Sequence, residues 1–158
     1  MIKDIYFDRF RGATWPEPRE LERFFLAPKG QQWSFLGGND SWGLSIEGPD
    51  VGALVDPRDP HRVRIDLYMT GHPELGVFLT YMKWEGGRGE SFSSKGDLSR
   101  LKEHVRSLHG TQIPVGLFIP FEEAWKAVKE FIESDGALPK SIAWIDDGKL
   151  PPGTFPPP

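Results

Sequence analysis

The sequence has no cysteine among its 158 residues, and this absence excludes several kinds of chemistry at once. Without thiols, the chain cannot form disulfides, use a thiolate nucleophile or build a zinc site on cysteine ligands. Long apolar runs are also missing, since no stretch approaches the roughly 20 residues that a membrane span requires. Residues 1–8 carry charges within a short apolar run, and we do not expect them to form a signal peptide. We therefore expect a cytoplasmic protein that does not associate with membranes.

A basic excess is missing as well. The chain has 19 lysines and arginines against 23 aspartates and glutamates, which gives a formal net charge of −4. Because nucleic-acid binding depends on a basic face, this balance argues against direct binding to nucleic acid. The charge is compatible with docking onto a basic partner, although a mild negative charge is also ordinary for a cytoplasmic protein.

The sequence lacks the spacings of catalytic and metal-binding motifs. His61 and His72 lie in turns rich in proline and glycine. His104 and His109 are five residues apart, which is not the i,i+4 spacing that places two zinc ligands on one helix face. The glycine-rich run at residues 86–89 does not match a phosphate-binding loop. We expect a protein that is not an enzyme and that needs no cofactor or metal ion.

Glycine, proline and aromatic residues are abundant. The chain has 18 glycines and 15 prolines, and 13% of its residues are aromatic, including six tryptophans. Such a composition indicates many turns between short strands. Residues 62–70 alternate apolar and polar side chains, and residues 77–84 also have the period of a strand. Shorter strands of an antiparallel meander of about five to seven strands are predicted at residues 2–10 (an edge strand), 33–36, 42–46, 51–55 and 90–94.

The clearest helix is predicted at residues 120–134. Its apolar side chains recur every three or four residues and so lie on one face, while glutamates and lysines fill the other face. Pro120 suits the first turn of a helix, and Gly136 suits its end. A short strand is predicted at residues 141–145. A helix with so apolar a face is expected to pack on the predicted sheet.

A shorter helix is predicted near the N-terminus. Thr14 and Glu17 have the spacing of a capping box, with Thr14 as the N-cap, and the helix is expected to extend to Leu26. The fold class predicted from these elements is α+β. It consists of an antiparallel β-sheet meander, a C-terminal amphipathic helix packed on one face, and the shorter N-terminal helix.

The chain is expected to form a single domain. A length of 158 residues is enough to bury one hydrophobic core and short for two. We assign residues 1–149 to this domain and residues 150–158 to a proline-rich tail that is extended and loosely packed. Use of this tail as a proline-rich ligand by another domain is an alternative role for the protein.

The late helix and the residues after it follow a recognisable pattern. The residues that form this pattern are Pro120, Ala124, Ala127, Glu130, Phe131, Gly136, Pro139 and Trp144. In them the chain resembles the first-numbered immunity family of bacterial polymorphic toxin systems, which is often found beside nucleic-acid deaminase toxins. The resemblance implies a non-enzymatic protein that binds and neutralises a toxin domain. It also favours a strand within residues 97–108, whereas the spacing of their apolar side chains predicts a helix, which we adopt.

The resemblance and the lack of catalytic motifs predict an immunity protein that covers the active site of a cognate toxin. The toxin is expected to be a nucleic-acid deaminase or nuclease. Tryptophan and tyrosine dominate interface hot spots and charges steer docking, so the contact surface is expected to combine acidic and aromatic side chains. The predicted partner-binding residues, in and beside two hairpin turns, are Asn39, Asp40, Trp42, Trp84, Glu85, Arg88 and Glu90.

A second interpretation is a small ligand-binding or hydrolytic enzyme with a pocket between the helix and the sheet. Such an enzyme would use His104 or His109 with a nearby carboxylate as an acid–base pair. No spacing in the sequence supports this interpretation directly.

Overall fold

The computed structural model describes residues 2–7, 10–27, 40–48, 63–85 and 88–157. Within these ranges the chain forms two α-helices, α1 (Pro18–Leu26) and α2 (Phe121–Glu133). The strands are β1 (Ile2–Phe7), β2 (Phe10–Gly12), β3 (Ser41–Glu47), β4 (Val63–His72), β5 (Gly76–Glu85), β6 (Arg88–Ser94), β7 (His104–Arg106), β8 (Gln112–Pro114), β9 (Phe118–Ile119) and β10 (Trp144–Asp146). The strands predicted at residues 33–36 and 51–55 lie outside the described residues.

Eight of these strands form one antiparallel sheet. Its order is β10-β6-β5-β4-β3-β1-β2, and β9 pairs with the beginning of β5. β7 and β8 form a separate hairpin. The predicted α+β architecture is confirmed, with more strands in the sheet than the five to seven expected. β1 was predicted as an edge strand, but it lies between β3 and β2.

The core lies between the two helices and one face of the sheet. The ring of Trp125 in α2 lies 5.4 Å from that of Phe25 in α1, measured between centroids. The ring of Phe24 in α1 lies 5.9 Å from that of Trp42 in β3. The sheet contributes side chains that are almost fully buried, and these are Leu44, Leu67, Met69, Val77 and Leu79. All of them project to the side that carries the helices, as the period of two along a strand requires.

α2 confirms the helix predicted at residues 120–134. The chain leaves it through Asp135 and Gly136, which both have positive φ angles, 52° and 96°. The N–H of Gly136 donates to the carbonyl oxygen of Phe131 at 3.0 Å, as in a Schellman motif. A Cβ at position 136 would lie 2.8 Å from Cγ2 of Ile46, so both the backbone angle and the space favour glycine here.

The predicted cap of α1 is wrong. The N-cap is Glu17 and not Thr14, and Pro18 occupies the first helical position, where a proline costs no hydrogen bond. The backbone N–H of Glu17 donates to the carboxylate of Glu20 at 2.8 Å, which is half of a capping box. The box therefore begins three residues later than predicted.

The helix predicted at residues 97–108 is also wrong. The carboxylate of Asp97 accepts from Ser99 N–H and caps a single 3₁₀ turn, Leu98–Arg100. The chain then becomes extended and pairs with β8. The cause is non-local, because the 3₁₀ turn packs closely on the backbone around Gly116, where a Cβ would lie 2.4 Å from the carbonyl oxygen of Asp97.

The described part of the tail, residues 150–157, packs against the domain. The His104 Nε2 atom lies at hydrogen-bond distance, 3.0 Å, from the carbonyl oxygen of Thr154. The ring of Phe155 lies 6.1 Å from that of Phe78. This segment is therefore held in place, in contrast to the loose packing expected from its composition.

Replacing Trp125 with alanine tests the packing of α2 on α1. Because the side chain is buried and stacks on Phe25, we expect the free energy of unfolding to fall by about 3–5 kcal/mol, measured by urea denaturation. Lys126→Ala on the exposed side of the same turn is the control and should change stability little. A loss below about 1 kcal/mol for Trp125→Ala would contradict this packing.

Candidate interaction surface

The face of the sheet opposite the helices carries a second set of side chains, from the alternate positions of the same strands. One row of paired residues crosses six strands on this face. It consists of Arg11, Tyr6, Gly43, Tyr68, Thr80 and Ser93. Neither α1 nor α2 packs on this side, which we call the open face.

Two parts of the open face are covered by other segments of the chain. At one end, the ring of Phe78 contacts those of Phe118 and Phe155, with centroids 6.2 and 6.1 Å apart. On β6, the hydroxyl of Ser93 donates to the carboxylate of Asp147 at 2.6 Å. The part between these contacts presents its side chains outward on β1, β3, β4 and β5.

This outward-facing part combines charged and aromatic side chains. We call it the open-face patch and define it as Ile2, Asp4, Tyr6, Ser45, Glu47, Arg64, Asp66, Tyr68 and Trp84. Its four large apolar side chains are between 42% and 50% exposed. Scattered exposed apolar residues are normal on a protein surface, but several on one face of a sheet indicate an interaction site.

Two of the exposed aromatic rings lie over glycines on the neighbouring strand. Tyr68 is paired with Gly43, and a Cβ added to that glycine would lie 2.9 Å from the tyrosine ring. Trp84 is paired with Gly89 in the same way, with a distance of 3.1 Å from a Cβ to the indole ring. Each glycine therefore leaves the space in which an aromatic ring can lie against the sheet.

The third exposed ring is fixed by a cation. The guanidinium of Arg11 lies 4.5 Å from the ring centroid of Tyr6, which is its partner across β1 and β2. Such cation–π contacts are worth about 0.5–1 kcal/mol at exposed sites. Rings that are already held in place lose less conformational entropy when a partner binds, which favours affinity.

A hydrogen-bonded network occupies the centre of the patch. The guanidinium of Arg64 donates through Nε and Nη2 to the two carboxylate oxygens of Asp66, at 3.0 Å each, and through Nη1 to Glu47 at 3.1 Å. The hydroxyl of Ser45 also donates to Asp66, whose side chain is buried. The hydrogen bond to Asp66 raises the pKa of Arg64, and burial together with the charge of Asp66 raises the pKa of Tyr68. Both side chains therefore keep their protons throughout the physiological pH range.

The patch contains a depression of about 460 Å³. The side chains that line it include Asp4, Tyr6, Ser45, Arg64, Tyr68 and Thr70. Beside the depression, the carboxylate of Asp40 accepts from the N–H of Leu108 at 2.8 Å and so fixes the tip of the β7–β8 hairpin. Leu108 is half exposed at this tip and gives the surface an apolar projection.

The structure places the predicted residues of the first hairpin away from the surface. Asn39 lies outside the described residues. Asp40 is only 5% exposed, because it is turned toward the β7–β8 tip, and Trp42 is 2% exposed beneath Phe24 of α1. The expected exposure of Asp40 and Trp42 is therefore wrong, since both project from β3 or its start into packed surroundings.

The predicted residues of the second hairpin are all exposed but lie on two sides of the sheet. Trp84 belongs to the open-face patch. The side chains of Glu85 and Glu90 lie on the other side of the sheet. Glu90 pairs with Lys83 across the two strands, and the Nζ atom of Lys83 lies 3.7 Å from the carboxylate of Glu85. Arg88 pairs with Glu85 and shares that side.

The remaining patch residues were not predicted as contacts. The alternation of residues 62–70 had already separated Arg64, Asp66 and Tyr68 from the apolar positions, so their common face was detectable in the sequence. Their proximity to Tyr6 was not detectable, because it depends on the pairing of β1 with β3 and of β3 with β4.

Metal binding, membrane association and the positions of two histidines can also be assessed in the described part of the chain. Among the described residues, no group of three or more histidine, cysteine, aspartate and glutamate side chains is placed to hold a metal ion. Neither described helix is long and apolar enough to cross a membrane. His104 bonds to the tail and His109 is exposed, so neither lines a pocket between helix and sheet.

A comparison with protein families gives a match over most of the chain. The model of the family described as "Immunity protein Imm1" matches residues 39–146, which are 108 of the 158 residues. The match includes α2 and the strands from β3 to β10, and it confirms the resemblance stated for the C-terminal quarter. No curated protein and no solved structure matches the chain.

Replacing Arg64 with alanine tests the network of the patch. We expect the free energy of unfolding to fall by about 1–3 kcal/mol, because the buried carboxylate of Asp66 would lose both hydrogen bonds from the guanidinium. The expected loss is below that of a fully buried pair, since the Arg64 side chain is 43% exposed. This loss is measured by urea unfolding. The control Arg100→Ala breaks an exposed ion pair with Glu103 and should lower the free energy of unfolding much less. Equal losses for the two variants would contradict a stabilising role of the Arg64 network.

Proposed function

The chain belongs to the Imm1 family of immunity proteins, and we propose that it neutralises its cognate toxin by docking the open-face patch onto the toxin domain. In this proposal the bound immunity protein covers the active site or the substrate groove of the toxin. The observation that carries it is the set of exposed rings of Tyr6, Tyr68 and Trp84, all held on the face of the sheet on which neither helix packs.

The composition of the patch suits the centre of a tight interface. Tryptophan, tyrosine and arginine are the residues enriched in hot spots, and Trp84 is paired with Arg64 across β5 and β4, with Tyr68 four residues further along β4. From β1 to β5 the patch spans four neighbouring strands, or about 14 Å at the usual spacing of strands. This is the size of a hot-spot cluster, around which a standard interface of about 800 Å² per partner needs a polar rim.

The β5–β6 hairpin and the β7–β8 tip supply such a rim in this proposal. Glu85, Arg88 and Glu90 are exposed at the end of this hairpin, on the other side of the sheet from Trp84, and their charges would steer association. Leu108 would contribute an apolar contact at the opposite border. Asp40 would act indirectly, because it holds the backbone of that tip.

The proposal includes a binding role without catalysis. A toxin that is a nucleic-acid deaminase or nuclease would act on nucleic acid in the cytoplasm, where the immunity protein would meet it. The immunity protein itself would contact the toxin and not the nucleic acid, in keeping with its net charge of −4.

Co-expression tests this function. The C-terminal domain encoded by the neighbouring gene is produced with and without this chain, and growth and complex formation are measured. We expect the domain to stop growth alone, and we expect the chain to restore growth and to co-purify with it in a fixed stoichiometry. A domain that stays toxic and does not bind the chain would overturn the proposal.

The double substitution Tyr68→Ala and Trp84→Ala tests the location of the interface. We expect the affinity for the toxin domain to fall by about 1,000-fold, because hot-spot residues cost about 2 kcal/mol or more each when truncated. Titration calorimetry measures the affinity, and a thermal melt verifies folding. Leu26→Ala removes an equally exposed apolar side chain from α1 and should leave affinity unchanged. If the double variant and the Leu26→Ala variant changed the affinity equally, the open face would be excluded as the interface.

A further inference from the structure

The charged groups of the open-face patch are not all paired with one another. Besides Asp66 and Glu47 the patch has one more carboxylate, that of Asp4, and the second guanidinium on this face, that of Arg11, lies over the ring of Tyr6. Arg64 bonds to both Asp66 and Glu47, which leaves its charge compensated. The described residues supply no ion-pair or hydrogen-bond partner for the side chain of Asp4, whose backbone carbonyl accepts from the indole of Trp15.

Asp4 lines the depression together with the two tyrosines. It is paired across β1 and β3 with Ser45, which is in turn paired with Asp66. The next row contains Tyr6 and Tyr68, which are both paired with Gly43, and the ring of Tyr68 lies over this glycine. The depression is therefore bordered by one exposed carboxylate and by two aromatic rings.

One of these rings already binds a cation. The guanidinium of Arg11 lies 4.5 Å from the centroid of the Tyr6 ring. The ring of Tyr68 is 44% exposed and is held against Gly43, so it can accept a cation without rearrangement. Aromatic rings beside an uncompensated carboxylate provide the chemistry that recognises a basic side chain.

Resting on the proposed function, we propose that this depression receives a basic side chain of the toxin, an arginine by preference, with Asp4 as its counterion. A guanidinium can stack on a tyrosine ring while two of its N–H groups donate in parallel to one carboxylate. An ammonium group lacks this planar geometry, so lysine fits less well.

A matched pair of substitutions tests this inference on the intact complex. Asp4→Asn removes the carboxylate in the depression, and Glu22→Gln removes an exposed carboxylate from α1, on the other side of the sheet. Both change the net charge by the same amount, so an effect of overall charge would appear in both. The affinity of each variant for the toxin domain is measured at low and at high salt.

We expect Asp4→Asn to weaken binding by about tenfold at low salt and to reduce the salt dependence of the affinity, with Glu22→Gln close to the unsubstituted chain. Arginines and lysines of the toxin domain are then replaced one at a time, and double-mutant cycles with Asp4→Asn identify the residue that couples to it.

Equal affinities for the two variants, or the absence of any coupled basic residue in the toxin domain, would overturn the inference while the proposed function stands. A lysine that couples more strongly than every arginine would overturn the stated preference. Failure of the unsubstituted chain to bind the toxin domain would instead overturn the proposed function, and the inference with it.

Discussion

The burial of one face of the sheet under both helices is the constraint on which the rest of this structure depends. Trp125, Phe25 and Trp42 fill the space between the layers, and each strand must supply apolar side chains at every second position to meet them. The remaining positions of the same strands are released from the core. The fold thereby produces a second surface on β1, β3, β4 and β5, on which neither helix packs.

Elements with a strong local period could be predicted from the sequence. α2 has the bounds expected from its apolar spacing, and β4 and β5 match the alternation of residues 62–70 and 77–84. Residues 97–108 have an apolar spacing that fits a helix equally well, but there the packing around Gly116 and the pairing with β8 determine the conformation. Such non-local contacts cannot be predicted from the spacing of residues within one segment.

The candidate surface could be predicted only in part, for a related reason. Tryptophan and tyrosine on strands occur on either face. Whether such a side chain is buried depends on its place in the alternation along the strand and on which face the helices cover. Trp42 and Tyr81 project into the core, whereas Tyr68 and Trp84 project outward. The grouping of Tyr6 with these outward residues follows from the strand order, which brings together segments more than 50 residues apart in the chain.

The interleaving of core and surface positions has a consequence for how such a protein can change its partner. A substitution at an outward position of β4 alters recognition and leaves the core intact. An insertion or deletion of one residue in the same strand would exchange the two sets, turning Arg64 and Asp66 inward and Leu67 outward. Strand length is thus fixed by stability, and divergence of specificity must proceed by point substitution within these strands, with changes of length confined to the turns between them.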